Sequence, residues 1–180
     1  FQEHLEQVRM ASAVGFDSVW ASQHYHSAPF SYFQPIPVLA RVAADAGSMS
    51  LGTGCLLLPL HHPVEVAEQI ATLDVICSGR FIFGVGLGYR DVENQAMGQD
   101  PKERVGRLVE GLEVIERLWT GEPVSYAGRH FTLDNVRIAM LPLQRPRPPI
   151  WIAANSDGGV KRAARLGDAW LMNPHTTLPT

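Results

Sequence analysis

The chain alternates between two hydrophobic rhythms. Short, mainly apolar runs occur at residues 16–21 (FDSVWA), 49–58 (MSLGTGCLLL), 81–85 (FIFGV), 150–154 (IWIAA) and 169–172 (AWLM). Runs of this length predict strands, and 81–85, with no polar alternation, predicts one buried on both faces. Between them the spacing becomes helical. Leu5, Val8, Met10 and Val14 share a face and Gly15 follows as a C-cap. Residues 38–46 end at Gly47, and Pro63 opens a mostly buried helix running to about Cys77. The clearest amphipathic stretch is 101–119, where Val105, Leu108, Leu112, Ile115 and Leu118 recur every three or four positions. A short helix at 160–166 is capped by Gly167. Residues 122–149 form an excursion: a hairpin, 124–126 with 130–132 about Ala127-Gly128, then a Pro-dense extended run from Pro142 to Pro149.

Strands alternating with helices predict right-handed crossovers and a parallel sheet. The order begins on a helix and ends on a strand, as though one strand upstream and two downstream were missing from an eight-stranded (β/α)8 TIM-type barrel. The expectation is therefore an α/β chain, a single barrel domain over 1–180 that is incomplete at both ends. A doubly wound open sheet is the rival, because it needs no missing pieces.

Composition narrows the classes. Hydrophobic residues at 46% and charged ones at 18% fit a globular chain and exclude a disordered tail or a coiled coil. A net charge of -3 argues against a nucleic-acid surface. No apolar run is long enough to span a bilayer. Cys55 and Cys77 fall inside regular elements and read as buried thiols of a reducing compartment, which predicts a cytoplasmic protein. The chain begins at Phe1 without Met, so the expectation leaves room for a true N-terminus upstream.

Chemistry gathers where the strands end. The exits carry Gln23-His24-Tyr25-His26, His61-His62, Gly88-Tyr89-Arg90-Asp91, Asn155-Ser156-Asp157-Gly158-Gly159 and Asn173-Pro174-His175. The strand entrances are plain, so the site is expected on the C-terminal face. The stretch 79–98 (GRFIFGVGLGYRDVENQAMG) is its centre: a buried strand emptying into a glycine-rich loop where a backbone can approach a ligand. Residues 155–159 have the make-up of an anion nest at a helix start, and equally that of a plain turn. Cys55 reads as a small buried hydrophobe, His61-His62 as a helix-leading pair, and Arg90-Asp91 as a surface ion pair.

Three blocks carry a family resemblance: LGTGCLLLPLHHPVEVAEQIATLDVICSGRFIFGVGLGYRDVENQAMG, GEPVSYAGRHF and PPIWIAANSDGGVKRAARLGDAW. Together they resemble the bacterial-luciferase-like superfamily of flavin- or deazaflavin-dependent oxidoreductases, over essentially the whole chain. The resemblance implies a barrel holding reduced flavin on its C-terminal face, as a homodimer, with further strands outside these residues. It places the catalytic histidine on His24, with Gln23 standing where many members have Glu. It places an often cis peptide near Gly54-Cys55, behind the isoalloxazine. Gly86 falls where the luciferase α subunit has a reactive cysteine, and Leu87 where it has a phosphate-binding arginine. The implied cofactor contacts are Gly54, Cys55, Gly88, Tyr89 (through its backbone), Asn155, Ser156, Gly158 and Gly159, with no metal.

The function this implies is an FMN-dependent monooxygenase, passing oxygen from a peroxyflavin to a small organic substrate with His24 supplying a proton and a separate flavin reductase serving it. Within the same superfamily the alternative is an F420-dependent hydride-transfer enzyme. From other classes come a barrel metallohydrolase using His24 and His26, with Asp91, Asp157 or His175 as further ligands, and a non-catalytic flavin-binding relative.

Overall fold

The computed structural model describes residues 1–172. In chain order the elements are α1 (Gln2–Ala13), β1 (Ser18–Ala21), α2 (Pro35–Val42), β2 (Ser50–Thr53), α3 (Pro63–Ile76), β3 (Phe81–Val85), α4 (Asp91–Ala96), α5 (Arg104–Leu118), β4 (Val124–Ala127), β5 (Thr132–Val136), β6 (Ile150–Ala154), α6 (Asp157–Leu166) and β7 (Ala169–Met172). Among the described residues β1, β2, β3, β6 and β7 form one sheet in that spatial order, every pair parallel. A doubly wound sheet reverses its strand order at a switch point. This one never reverses; it is the curled sheet of a half-barrel.

The pleat gives the sheet two different faces. Leu51, Phe81, Phe83, Val85, Ile150 and Ile152 point outward and are buried, joined in one core by Val66 and Ile70 of α3 and Leu112 and Ile115 of α5. Trp119 closes it: its ring meets Phe83 edge-on at 5.8 Å, and its indole N–H donates to the Ala67 carbonyl at 3.0 Å. The inward face carries Trp20, Gly52, Gly84 and Trp151. The β3 run lacks polar alternation because its inward positions are given to small or apolar groups, not because helices cover both faces.

Several boundaries differ from those the pattern predicts. Residues 49–58 are not one strand: β2 ends at Thr53, the Gly54–Cys55 peptide is cis, and a 3-10 turn occupies Leu58–Leu60. The Thr53 hydroxyl takes over the ladder there, donating to the Gly84 carbonyl at 2.7 Å and accepting from the Gly84 N–H at 3.0 Å. Helix α2 starts at Pro35 because proline suits the first helical position. Helix α6 starts at Asp157, capped by Ser156. Met10 and Val14 are exposed, leaving Leu5 as the buried anchor of α1.

Two carboxylates hold the excursion to the barrel. Glu110 on α5 accepts from the backbone N–H groups of Arg129, His130 and Phe131, fixing the β4–β5 hairpin. Asp74 on α3 is fully buried and accepts from the N–H groups of Leu143 and Gln144 and from the Gln144 amide. That pins the Pro-dense run against the start of β3, where the Gln144 amide also donates to the Phe81 carbonyl. No helix among the described residues is long and apolar enough to cross a membrane.

Candidate active site

A cavity of about 1030 Å³ opens at the C-terminal ends of the strands. The rings of Trp20 and Trp151 lie inside the curl, 5.1 Å apart and tilted by 38°, and form its floor. Gly52 makes room for them, since a Cβ there would come within 2.5 Å of the Trp20 ring. Of the residues singled out from sequence, His24, Gly54, Cys55, Gly88, Tyr89, Asn155, Ser156 and Gly159 all line this one cavity. Gly158 does not, although it belongs to the first turn of α6.

His24 leaves β1 and turns back toward α4. Its Nδ1 lies 2.9 Å from Oε1 of Glu93, which is fully buried. The same oxygen accepts from the Tyr25 backbone N–H at 3.0 Å and from Arg90 Nη1 at 3.3 Å. Arg90 also donates to the carbonyls of Tyr25 and His26, so the loop after β1 is gripped through both its donors and its acceptors. Tyr32 and Tyr89 meet the His24 ring edge-on at 5.0 and 6.0 Å.

Gln23 does not touch the His24 ring. Its carbonyl accepts from the Leu57 N–H and His61 Nε2, and its amide donates to the Tyr25 hydroxyl and to Gln34. The acidic partner of His24 comes instead from a position 69 residues away. Arg90-Asp91 is likewise not a surface pair: Arg90 binds Glu93, and Asp91 accepts from Arg104. His62 is the N-cap of α3, accepting from the Val64 N–H at 3.4 Å.

Beside the floor, Cys55 and Gly86 face each other so closely that a Cβ on Gly86 would overlap the Cys55 sulfur. Burial pushes the Cys55 thiol up to about 11, so it is a neutral apolar wall at physiological pH rather than a thiolate.

The far wall is the start of α6. Ser156 Oγ accepts from the Gly159 N–H at 3.2 Å, and the Ser156 carbonyl accepts from Val160. The Asp157 and Gly158 N–H groups, first in the helix, have no intrahelical acceptor. Gly159 packs against β6, where a Cβ would sit 2.9 Å from that of Ala154. One turn on, Arg162 lines the same cavity, because helical side chains lean toward the N-terminus. Its Nε is buried with no hydrogen-bond partner. Nothing in the sequence pattern singles out Arg162 or Glu93. Each reads as one more charge on a helix, and only the fold turns it inward.

No group of three or more His, Cys, Asp or Glu side chains among the described residues is arranged to hold a metal ion. His24 spends Nδ1 on Glu93, and His26 meets Arg90 through its carbonyl. The exit 173–175, with His175, lies outside the described residues.

The family model described as Luciferase-like monooxygenase matches residues 1–180. The chain belongs to that family. Luciferase-like relatives include an F420-dependent hydroxymycolic acid dehydrogenase of Mycobacterium tuberculosis, 34% identical over 169 residues, covering 89% of this chain and 46% of that protein. Another is the oxygenase component of a flavin-dependent trigonelline monooxygenase of Acinetobacter baylyi, 31% identical, covering 93% of this chain and 47% of that protein. A monooxygenase from Streptomyces bottropensis has a crystal structure that superposes with a TM-score of 0.82 at 31% identity, over 91% of this chain and 50% of that one. The chain thus spans about half the length of the relatives it matches.

Proposed function

We propose that this luciferase-like chain carries the cofactor site of an FMN-dependent monooxygenase acting on a small organic substrate. The observation that carries the reading is convergence: His24, the Gly54–Cys55 peptide, the Gly88-Tyr89 loop and the start of α6 come from four separate strand exits and border one cavity. The residues fit the group. Gly54, Gly86 and the tryptophan floor leave a flat apolar slot for a ring system, and α6 offers first-turn N–H groups to a phosphate. Arg162 adds a cation with an unpartnered buried N–H, which suits a chain whose Leu87 offers no charge. Bound reduced FMN would supply the electrons that activate O2. His24 would move a proton at the ring nitrogen facing the cavity, and the apolar walls would keep water from the reacting atoms.

Reduced F420, supplying a hydride, is the second reading, favoured by the 34%-identical F420-dependent relative. A separate flavin reductase is part of the first reading, because the trigonelline relative is an oxygenase component. So is a cytoplasmic homodimer: a groove between α2 and α3 is lined by the half-buried Ile36 and Ala40 and the exposed Thr72 and Ile76, and sedimentation of the full-length protein checks the assembly.

The deciding experiment titrates full-length protein with FMN, riboflavin and F420, following quenching of tryptophan fluorescence. Ser156→Asp keeps an oxygen to cap α6 but places a second carboxylate beside Asp157. It is expected to weaken FMN at least about tenfold, roughly 1.4 kcal/mol, and riboflavin much less. Equal losses for both would mean damage to the whole site, and no loss would place the phosphate elsewhere.

A further inference from the structure

Glu93 is buried completely, yet all of its hydrogen bonding falls on one oxygen. Oε1 meets His24 Nδ1, the Tyr25 N–H and Arg90 Nη1, whereas Oε2 is buried without a partner. The backbone N–H and the guanidinium can only donate, so Oε1 is an acceptor for them both, and an ionised carboxylate accepts from the imidazole too. The proton of neutral His24 therefore sits on Nδ1. That leaves Nε2 with the lone pair on a ring that lines the cavity.

We propose that Glu93 is the positioning residue of His24: it locks the Nδ1–H tautomer and the ring angle, so that Nε2 alone exchanges protons with the occupant of the cavity. The proposal rests on the reading of His24 as the proton carrier given above. The step balances simply. Protonated His24 gives the Nε2 proton to an oxygen anion in the cavity, the N–H bonding pair stays on Nε2 as its lone pair, and the other proton stays on Nδ1, hydrogen-bonded to Glu93 Oε1 throughout. A fixed second hydrogen bond selects a histidine tautomer in just this manner at metal and triad sites. Arg90 completes the device. By binding the carbonyls of Tyr25 and His26 it keeps the loop, and hence the ring, in register with α4.

The asymmetry of the carboxylate supplies the test. In Glu93→Gln the donors from Tyr25 and Arg90 hold the amide oxygen at the Oε1 position and send the NH2 to the vacant Oε2 position, so the tautomer survives. In Glu93→Ala no acceptor remains for Nδ1. Full-length protein with ¹⁵N-labelled histidine is examined without ligand, the His24 signals being assigned by their loss in His24→Ala. Wild type and Glu93→Gln are expected to show the Nδ1–H tautomer, and Glu93→Ala a mixture of the two. Turnover is expected to fall about 10²-fold in Glu93→Ala and markedly less in Glu93→Gln, with KM little changed. The double variant with His24→Ala is expected to be no slower than His24→Ala alone, since residues acting as a unit are not additive. An Nε2–H tautomer in wild type, or an unchanged one in Glu93→Ala, overturns the proposal. The tautomer is read before any cofactor is added, so it stands or falls apart from flavin binding. If His24→Ala keeps full turnover, the reading of His24 as proton carrier fails, whatever the tautomer.

Discussion

A single methyl group is enough to probe this site, because its glycines are spaced against hard neighbours. A Cβ on Gly84 would run into the Thr53 carbonyl, which is backbone and held by the sheet. Gly84→Ala is therefore expected to cost about 3 kcal/mol or more, at the top of the overpacking range, read as a shift in the urea midpoint of the full-length protein. Gly158 has nothing within 4 Å of its would-be Cβ and lies in the first turn of α6. Gly158→Ala should be neutral or stabilising by about 0.5–1 kcal/mol, and it keeps the N–H that a phosphate would use. A second residue-scale prediction concerns pH. Burial lowers the His61 pKa below its usual value of 6.5, and Nε2 lies 3.1 Å from Gln23 Oε1, an acceptor, which fixes the neutral Nε2–H form. A histidine with a depressed folded pKa stabilises the fold above its unfolded pKa, and that contribution is lost as pH falls through the folded value. The melting temperature should thus drop as pH is lowered from 6.5, and drop less in His61→Phe. Equal slopes would show that His61 does not titrate between the two states.

At the scale of elements, the Pro-dense end of the excursion is joined to α3 by one buried carboxylate. Asp74→Ala would strand the N–H groups of Leu143 and Gln144 and the Gln144 amide, and is expected to cost about 1–3 kcal/mol, the penalty for leaving part-buried neutral donors without an acceptor. Amide exchange should show the loss spreading into the Pro-dense run and the start of β6. If protection fell uniformly across the sheet instead, the clamp would not be local. Asp74 shows what a sequence hides: in the pattern it is one polar residue on an apolar helix, and its partners lie about 70 residues away. Elements made by local rhythm were legible. The bounds of β3, β6 and β7 match the apolar runs that predict them, since a buried strand needs only consecutive apolar residues. The run 49–58 misled because its apolar side chains continue through a cis peptide and a 3-10 turn, which hydrophobicity does not register. The part of the lining carried by the exits of β1, β2, β3 and β6 was legible because those exits lie on one face of a parallel sheet, whereas the Trp20–Trp151 floor and Arg162 were not. The Glu93 partnership was not, because it depends on how α4 packs against the loop after β1.

At the scale of the whole molecule, the sheet has two margins. Among the described residues, β1 pairs only with β2, and β7 only with β6. Both margins are parallel strands with one row of backbone donors and acceptors unmatched, which is a template for pairing with another chain. The helices do not remove this exposure. They cover the outward face, where the core is built, whereas the margins and the inward face with Trp20 and Trp151 meet the cavity. Residues 1–180 expressed alone are therefore expected to self-associate. Light scattering should rise with concentration, and the melt should be broad, because hydrogen bonds at the margins and apolar surface inside the curl are both satisfied by a second copy. Saturating FMN should reduce the association only in part. It would fill the slot above the tryptophans but leave the backbone of β1 and β7 unpaired. A monomer with a sharp, concentration-independent melt would show instead that the margins are not open to pairing, and that the half-barrel is a folding unit in its own right.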